Sequence, residues 1–249
     1  MNSYDLRHRT AVITGAASGM GAATAELLAA SGARVVLLSR RRDRLDELAA
    51  KIRAADGSAL ALAVDVTDPD QVTAAAAEAP DADLVINAAG VMLPNPIAEG
   101  RADEWARMID TNLTGALHVI RAFLPGLRAA AADGRPSDLV NVSSIGAHVP
   151  FPAYAVYSAT KAALTQLSTS LRTELGAEMV RVTNIEPGLT DTELGDHIDN
   201  AELAGQLGGM FRVLPALRAE DIADLIAYVV SRPRHVNLRQ LIALPTPQA

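Results

Sequence analysis

The feature that most constrains this chain is an alternation of short, almost wholly apolar runs with long alanine-rich stretches. The runs are residues 10–14 (TAVIT), 34–38 (RVVLL), 58–64, 84–87 (LVIN), 138–143 (DLVNVS), 181–186 (RVTNIE) and 240–244 (QLIAL). Strands without a polar face must be covered on both sides, and a helix between consecutive strands is the usual connection in a parallel sheet. The spacing predicts helices over 19–31, 43–55, 70–79, 103–132, 153–176 and 219–231. Thr67 or Asp68 is placed to cap the third of these ahead of Pro69. Pro125 and Gly126 should kink or break the fourth.

No linker, repeat or low-complexity tract divides the 249 residues, so the economical reading is an α/β chain. Its expected architecture is a single-domain doubly wound Rossmann fold over residues 1–249 with a seven-stranded parallel sheet. Aromatic residues make up only 3% of a chain that is 49% hydrophobic, so the core must be aliphatic. A net charge of −7 argues against nucleic acid or an anionic membrane as partner. There is no cysteine, and the five histidines are scattered, which points away from disulfides and from a metal site. The polar opening MNSYDLRHRT and the lack of a long apolar run predict a cytoplasmic protein with no membrane span.

The stretch TGAASGMG at 14–21 follows the first strand and opens the first helix. Gly15, Gly19 and Gly21 allow a tight turn and close approach of a ligand, and the helix start offers free N–H groups to a pyrophosphate. The spacing departs from the usual G-x-G-x-x-G, and three glycines are also compatible with an ordinary tight turn. At the end of the second strand, where NAD-binding folds often carry an acid for the ribose hydroxyl, the chain reads LLSRRRDR. Ser39 and Arg40 suit a 2′-phosphate, because guanidinium bonds to phosphate are bidentate and charge-assisted. Arg41 is a second candidate. A solvated helix start accounts for Arg42 and Arg44.

Lys51 and Lys161 are the only lysines, and Lys161 follows Tyr157 by one helical turn. A cation about 4 Å from a phenol, at an effective dielectric of about 20, contributes about 4 kcal/mol, or roughly three pKa units. That effect would bring Tyr157 into range for general acid–base chemistry. An i,i+4 surface pair is the plain alternative for these two residues taken alone.

They do not stand alone. Asn87 to Gly90 (NAAG), Asn112 in TNLTG, Ser144 after NVS and Glu186 to Thr192 (EPGLTDT) complete a pattern. Together with Thr14 to Gly21 and Tyr157-x-x-x-Lys161, this pattern resembles the short-chain dehydrogenase/reductase family along essentially the whole chain. The resemblance implies a catalytic set of Asn112, Ser144, Tyr157 and Lys161. In it Tyr157 exchanges the proton, Ser144 bonds the substrate oxygen, Lys161 lowers the tyrosine pKa and holds the ribose, and Asn112 fixes a relay water. Ser143 is the neighbour with which Ser144 is most easily confused.

The resemblance further implies NADP (NADPH) as cofactor, held by Gly15, Ser18, Gly19, Met20, Gly21, Ser39, Arg40, Arg41, Asp65, Val66, Asn87, Ala88, Gly90, Tyr157, Lys161, Pro187, Gly188, Thr190 and Thr192. Asp65 would hold adenine or cap a turn; Thr190 and Thr192 would contact the cofactor or cap a helix. EPGLTDTEL and HVNLRQLIALPTPQ are similar to a subgroup of NADP-dependent reductases that includes clavulanic-aldehyde reductases and short-chain 3-hydroxy-acid dehydrogenases. The ending departs from the glycine-rich VDGG of the wider family and argues against a ketoacyl-carrier-protein reductase. A homodimer or homotetramer through the helices around 103–132 and 153–176 is usual in the family.

The implied reaction is hydride transfer between NADP(H) and a small or medium, largely apolar carbonyl compound or secondary alcohol. Met92, Ile145, His148, Val149, Leu189, Leu194, Met210 and Phe211 are the candidate pocket residues, and residues 189–215 are expected to form a lid. Two other functions fit the same pattern: NADP(H) sensing without turnover, and an NAD-dependent alcohol dehydrogenase.

Overall fold

Each of the seven apolar runs becomes a strand; the five inside the sheet are buried on both faces or nearly so, whereas the two at its edges, from 58–63 and 240–243, are partly exposed. The computed structural model describes residues 4–248. Its strands are β1 (Thr10–Thr14), β2 (Arg34–Ser39), β3 (Ser58–Ala63), β4 (Leu84–Asn87), β5 (Asp138–Val142), β6 (Arg181–Pro187), β7 (Thr190–Asp191), β8 (Leu217–Arg218) and β9 (Gln240–Ala243). Seven of them form one sheet in the order β3-β2-β1-β4-β5-β6-β9, every pair parallel, while β7 and β8 pair only with each other. The helices are α1 (Gly19–Ala30), α2 (Arg42–Ala54), α3 (Pro69–Ala77), α4 (Ala102–Ile109), α5 (Gly115–Ala132), α6 (Ala155–Leu175), α7 (Ala201–Val213) and α8 (Ala219–Val230). This is the expected single-domain Rossmann architecture.

The two-residue period of a strand sorts the core into two layers. Ala11, Ile13, Val35 and Leu37 pack with α1, α2 and α8, whereas Val12, Val36, Leu38 and Val85 pack with α3, α5 and α6. Strand order reverses between β1 and β4, so a crevice opens at their carboxyl ends, where such sheets bind ligands. Asp68 caps α3, its side chain accepting from the N–H groups of Asp70 and Gln71.

The predicted helix over 103–132 behaves differently from expectation. It is not broken at Pro125: α5 runs through it. Phe123, Leu127, Ala130 and Ala131 are buried on either side, and this packing outweighs the one hydrogen bond that proline removes. Gly126 is needed for a close approach, since a Cβ there would lie 2.9 Å from the Ala82 carbonyl oxygen. The irregular turn falls earlier, as a π-helical segment at Asp110–Thr114.

At the opposite end of the sheet from the crevice, a buried ionic network ties four strands together. The Asp138 carboxylate accepts from Arg9 at 2.7 Å and Arg181 at 2.8 Å, and Asp83 accepts from Arg9 at 2.8 Å. Removing one member strands the charges of the others in a dry interior. Asp138→Ala is therefore expected to cost about 3–5 kcal/mol of unfolding free energy in urea titration. A loss below about 1 kcal/mol, typical of an exposed pair, would contradict this account of the network.

Candidate active site

The glycine turn is shaped by contact with the loop after β4. Gly15 has φ +67, and a Cβ on it would lie 2.8 Å from the Ala88 carbonyl oxygen, so no larger residue fits without a shift of backbone. Thr14, which the sequence reading left without a role of its own, accepts through its hydroxyl from the N–H groups of Ala88 and Ala89, both at 3.1 Å. Ser18 stands at the N-cap of α1, yet its side chain makes no cap bond, leaving the first-turn N–H groups without a side-chain partner.

A cleft of about 230 Å³ opens here at the β1/β4 crevice. Of the residues expected to hold the cofactor, Gly15, Ser18, Gly19, Met20, Gly21, Ser39, Arg40, Arg41, Asp65, Val66, Ala88, Gly90, Tyr157, Lys161 and Thr192 line it. Four do not. Asn87 is buried and donates to Asn141 Oδ1 at 2.9 Å, so its side chain serves the interior of the sheet. Pro187, Gly188 and Thr190 border a second, adjoining cavity instead. Asp65 accepts from the Thr67 N–H at 3.0 Å, so it caps a turn as well as lining the cleft. Thr192 likewise caps the turn at Glu193–His197. The Arg40 side chain is 68% exposed and 3.9 Å from Asp65, whereas Arg41 is held by Ser18 and Glu193.

Tyr157 borders both cavities. Ser144 lies beside it: a Cβ placed on Gly146 would touch Ser144 Oγ at 3.3 Å and Tyr157 Cε1 at 3.5 Å. Ser143 is separated from its neighbour by its partners: it donates to the Lys161 carbonyl at 2.8 Å and accepts from Thr165 at 3.0 Å. Its hydroxyl is thus committed to α6; both serines line the second cavity, where the Ser144 hydroxyl accepts from the Gly146 N–H at 3.0 Å. Asn112 sits on the π-helical turn and grips Val91 at both its N–H and C=O, at 2.8 and 2.9 Å. Gly90 lies between Asn112 and Lys161; a Cβ there would be 3.3 Å from Asn112 Oδ1 and 3.6 Å from Lys161 Nζ.

The electrostatics correct one expectation. Lys161 Nζ lies 5.8 Å from the centre of the Tyr157 ring and donates to the Val142 carbonyl at 3.0 Å. With the cation so placed, the phenol is still shifted upward, so Lys161 does not acidify it unaided. Tyr157 is 7% and Lys161 6% exposed, so burial opposes the charged form of each. Burial pushes the phenol up to about 12, with the neighbouring Ser144 hydroxyl opposing it, and pushes the ammonium down to about 8.

The second cavity, about 240 Å³, is lined by Met92, Ile145, Leu189, Leu194, Met210 and Phe211, as expected. Val149 is 42% exposed and outside it. His148 turns away to bond the buried Glu186 at 2.8 Å. Several further wall residues are not among the candidates named from the sequence, Tyr154, Gln206 and Gln248 among them. Tyr154, one turn before Tyr157, stacks edge-on with it at 6.5 Å and was legible from helical spacing. Gln206 lies on α7, and Gln248 accepts from the Leu189 N–H at 2.9 Å; no local signal marks the latter contact.

A sequence profile described as short chain dehydrogenase matches residues 9–203. The chain belongs to the short-chain dehydrogenase/reductase family. It is 38% identical over 248 residues to a serine 3-dehydrogenase of Agrobacterium fabrum, covering 96% of this chain and 95% of that one. It is also 38% identical over 242 residues to a sulfoacetaldehyde reductase of Chromohalobacter salexigens, covering 95% and 94%. Among solved structures, the closed form of a serine dehydrogenase complexed with NADP+ superposes with a TM-score of 0.87 at 30% identity, covering 96% of each chain. This short-chain dehydrogenase/reductase is an oxidoreductase acting on small molecules.

The buried lysine makes a testable statement about stability. The folded pKa of Lys161 lies below its unfolded value, so between about 8 and 10.5 the unfolded chain binds more protons and stability rises with pH. Below that window the folded protein carries a buried ammonium. Lys161→Met should therefore raise stability at pH 7 by about 1–3 kcal/mol, with the gain shrinking above pH 8, as read by thermal and urea unfolding. A variant less stable than wild type throughout would contradict this.

Proposed function

We propose that this chain is an NADP(H)-dependent reductase and dehydrogenase of small or medium, uncharged, largely apolar carbonyl compounds and secondary alcohols, with Tyr157 as general acid/base. The observation that carries the reading is the meeting of the Tyr157 and Ser144 hydroxyls where a glycine-turned cleft joins an apolar cavity.

The cleft suits a dinucleotide. Gly15, Ser18, Gly19, Met20 and Gly21 would hold the pyrophosphate against the uncapped start of α1. Ser39, Arg40 and Arg41 would hold the 2′-phosphate, Asp65 and Val66 the adenine, Ala88 and Gly90 the ribose side, and Thr192 the far rim. When bound, the nicotinamide cofactor supplies or accepts the hydride. The NADP+ in the superposed serine dehydrogenase supports the choice of cofactor.

With its pKa near 12, Tyr157 rests protonated, which is the state needed to give a proton to a carbonyl oxygen. Ser144 donates to the same oxygen and offsets the charge that develops on it. Lys161 would hold the ribose hydroxyls and, with the positive charge of the oxidised cofactor, lower the phenol pKa for the reverse direction. The Asn112 amide bonds Val91 and Thr160, so we assign it to positioning the 90–91 loop beside Lys161, with the second lone pair of its Oδ1 left to hold the relay water. Residues 189–215 would form the lid, since β7, the Glu193–His197 turn and α7 line the second cavity.

Among the described residues, the wall of that cavity contains no charged side chain. An anion such as sulfoacetaldehyde, or zwitterionic serine, would enter without a partner for its charge. We therefore expect, by absorbance, NADPH consumption with sulfoacetaldehyde to fall at least about tenfold in kcat/KM below that with neutral apolar aldehydes and ketones, and NADPH formation from NADP+ with serine to fall as far below that with neutral apolar secondary alcohols. Tyr157→Phe should lower kcat by about 10²–10⁴-fold. Turnover untouched in that variant would remove Tyr157 as the acid; a preference for serine or sulfoacetaldehyde would overturn the substrate class.

A further inference from the structure

Arg41 is engaged by two distant parts of the chain. Its guanidinium donates to Glu193 at 2.7 Å and to the Ser18 hydroxyl. Ser18 belongs to the glycine turn, Arg41 precedes α2, and Glu193 opens the turn after β7; all three line the cleft. A second contact brings the same segment down on the turn. Gly19 has φ +51, and a Cβ on it would lie 3.1 Å from Thr192 Cβ, so residues 192–193 rest directly on the proposed phosphate site. The hydrogen bond from Arg41 holds the Glu193 carboxyl below the usual carboxylate range, and Arg44 adds to the effect. The segment thus presents a carboxylate to the guanidinium expected to meet a phosphate.

We infer that Glu193 is a cofactor-specificity residue: an internal anion on Arg41 that the 2′-phosphate of NADP(H) displaces, and that a cofactor lacking this phosphate leaves in place. The inference rests on the NADP reading above and adds a competitor to it. The exchange is physically reasonable, because an exposed ion pair is weak. A phosphate brings about two negative charges and several acceptor oxygens to the same guanidinium. Once the phosphate is bound, Glu193 faces a like charge and must turn away. Thr192 and Leu194 on either side of it line both cavities, so phosphate recognition is transmitted to the substrate wall. Arg41, more than the exposed Arg40, becomes the residue on which the choice of cofactor turns.

The test is calorimetric binding of NADP+ and NAD+ to the full chain as wild type, Glu193→Gln, Arg41→Ala and the double variant, each checked by thermal unfolding. Glu193→Gln should tighten NADP+ by about threefold to fivefold and leave NAD+ within about twofold. The gain should vanish when Arg41 is alanine. Glu193→Asp, which keeps the charge, should remain within about twofold of wild type. Equal tightening of both cofactors, a gain that survives without Arg41, or no change while wild type still prefers NADP+ would each overturn this inference alone. A wild type that binds NADP+ no better than NAD+ would overturn the cofactor reading, and this inference with it.

Discussion

Desolvation of two ionisable groups on one turn of α6 is the constraint on which the rest of the site depends. Tyr157 and Lys161 share a helix face, and both are buried where the two cavities meet. Burial keeps the phenol protonated and loosens the hold of the ammonium on its own proton. The pair therefore stores its reactivity: a positive charge brought into the cleft would act on the phenol through a medium of low polarity, where it counts for more than in water. A phenol held in this way responds to the charge that binds beside it.

The surrounding fold holds the pair to this position. Ser143 fastens the end of β5 to α6, and Glu186 on β6 gathers Thr165, Asn184, Gln240 and His148 around a fully buried carboxylate. His148 ends the turn that Ser144 begins, so the hydroxyl beside Tyr157 is anchored at both ends of a short segment. On the other side, Asn112 braces Val91 and keeps Gly90 close to Lys161. The buried ionic and amide network thus lies behind this face, and the face itself is left to Tyr157, Ser144, a few uncharged polar groups such as Gln206 and Gln248, and apolar side chains.

Much of this was legible in the sequence because it follows from local rules. Apolar runs with no polar face must lie in a covered parallel sheet, Asp68 before Pro69 is a helix start, and Tyr157 and Lys161 are one turn apart on any helix. What could not be read depends on contacts across long sequence separations. Pro125 remains within α5 because tertiary packing outweighs a local penalty, and Asn112 reaches Val91 from a π-helical turn that periodicity does not reveal. Asn87 faces inward because Asn141 awaits it on the neighbouring strand. Glu193 meets Arg41, and Gln248 meets Leu189, only once the chain has folded. The bond from Lys161 to the Val142 carbonyl is likewise one that the i,i+4 spacing does not show.

The central claim is that Tyr157 is a protonated, buried acid whose pKa falls when a positive charge occupies the cleft. The most direct measurement is an ultraviolet difference titration of tyrosinate, with and without saturating NADP+, in wild type and Tyr157→Phe. One tyrosine should titrate near 12 in the free protein, move to lower pH with NADP+, and be missing from the variant. A Tyr157 that titrates at the ordinary value near 10 in the free protein, or whose titration NADP+ leaves unmoved, would contradict the account.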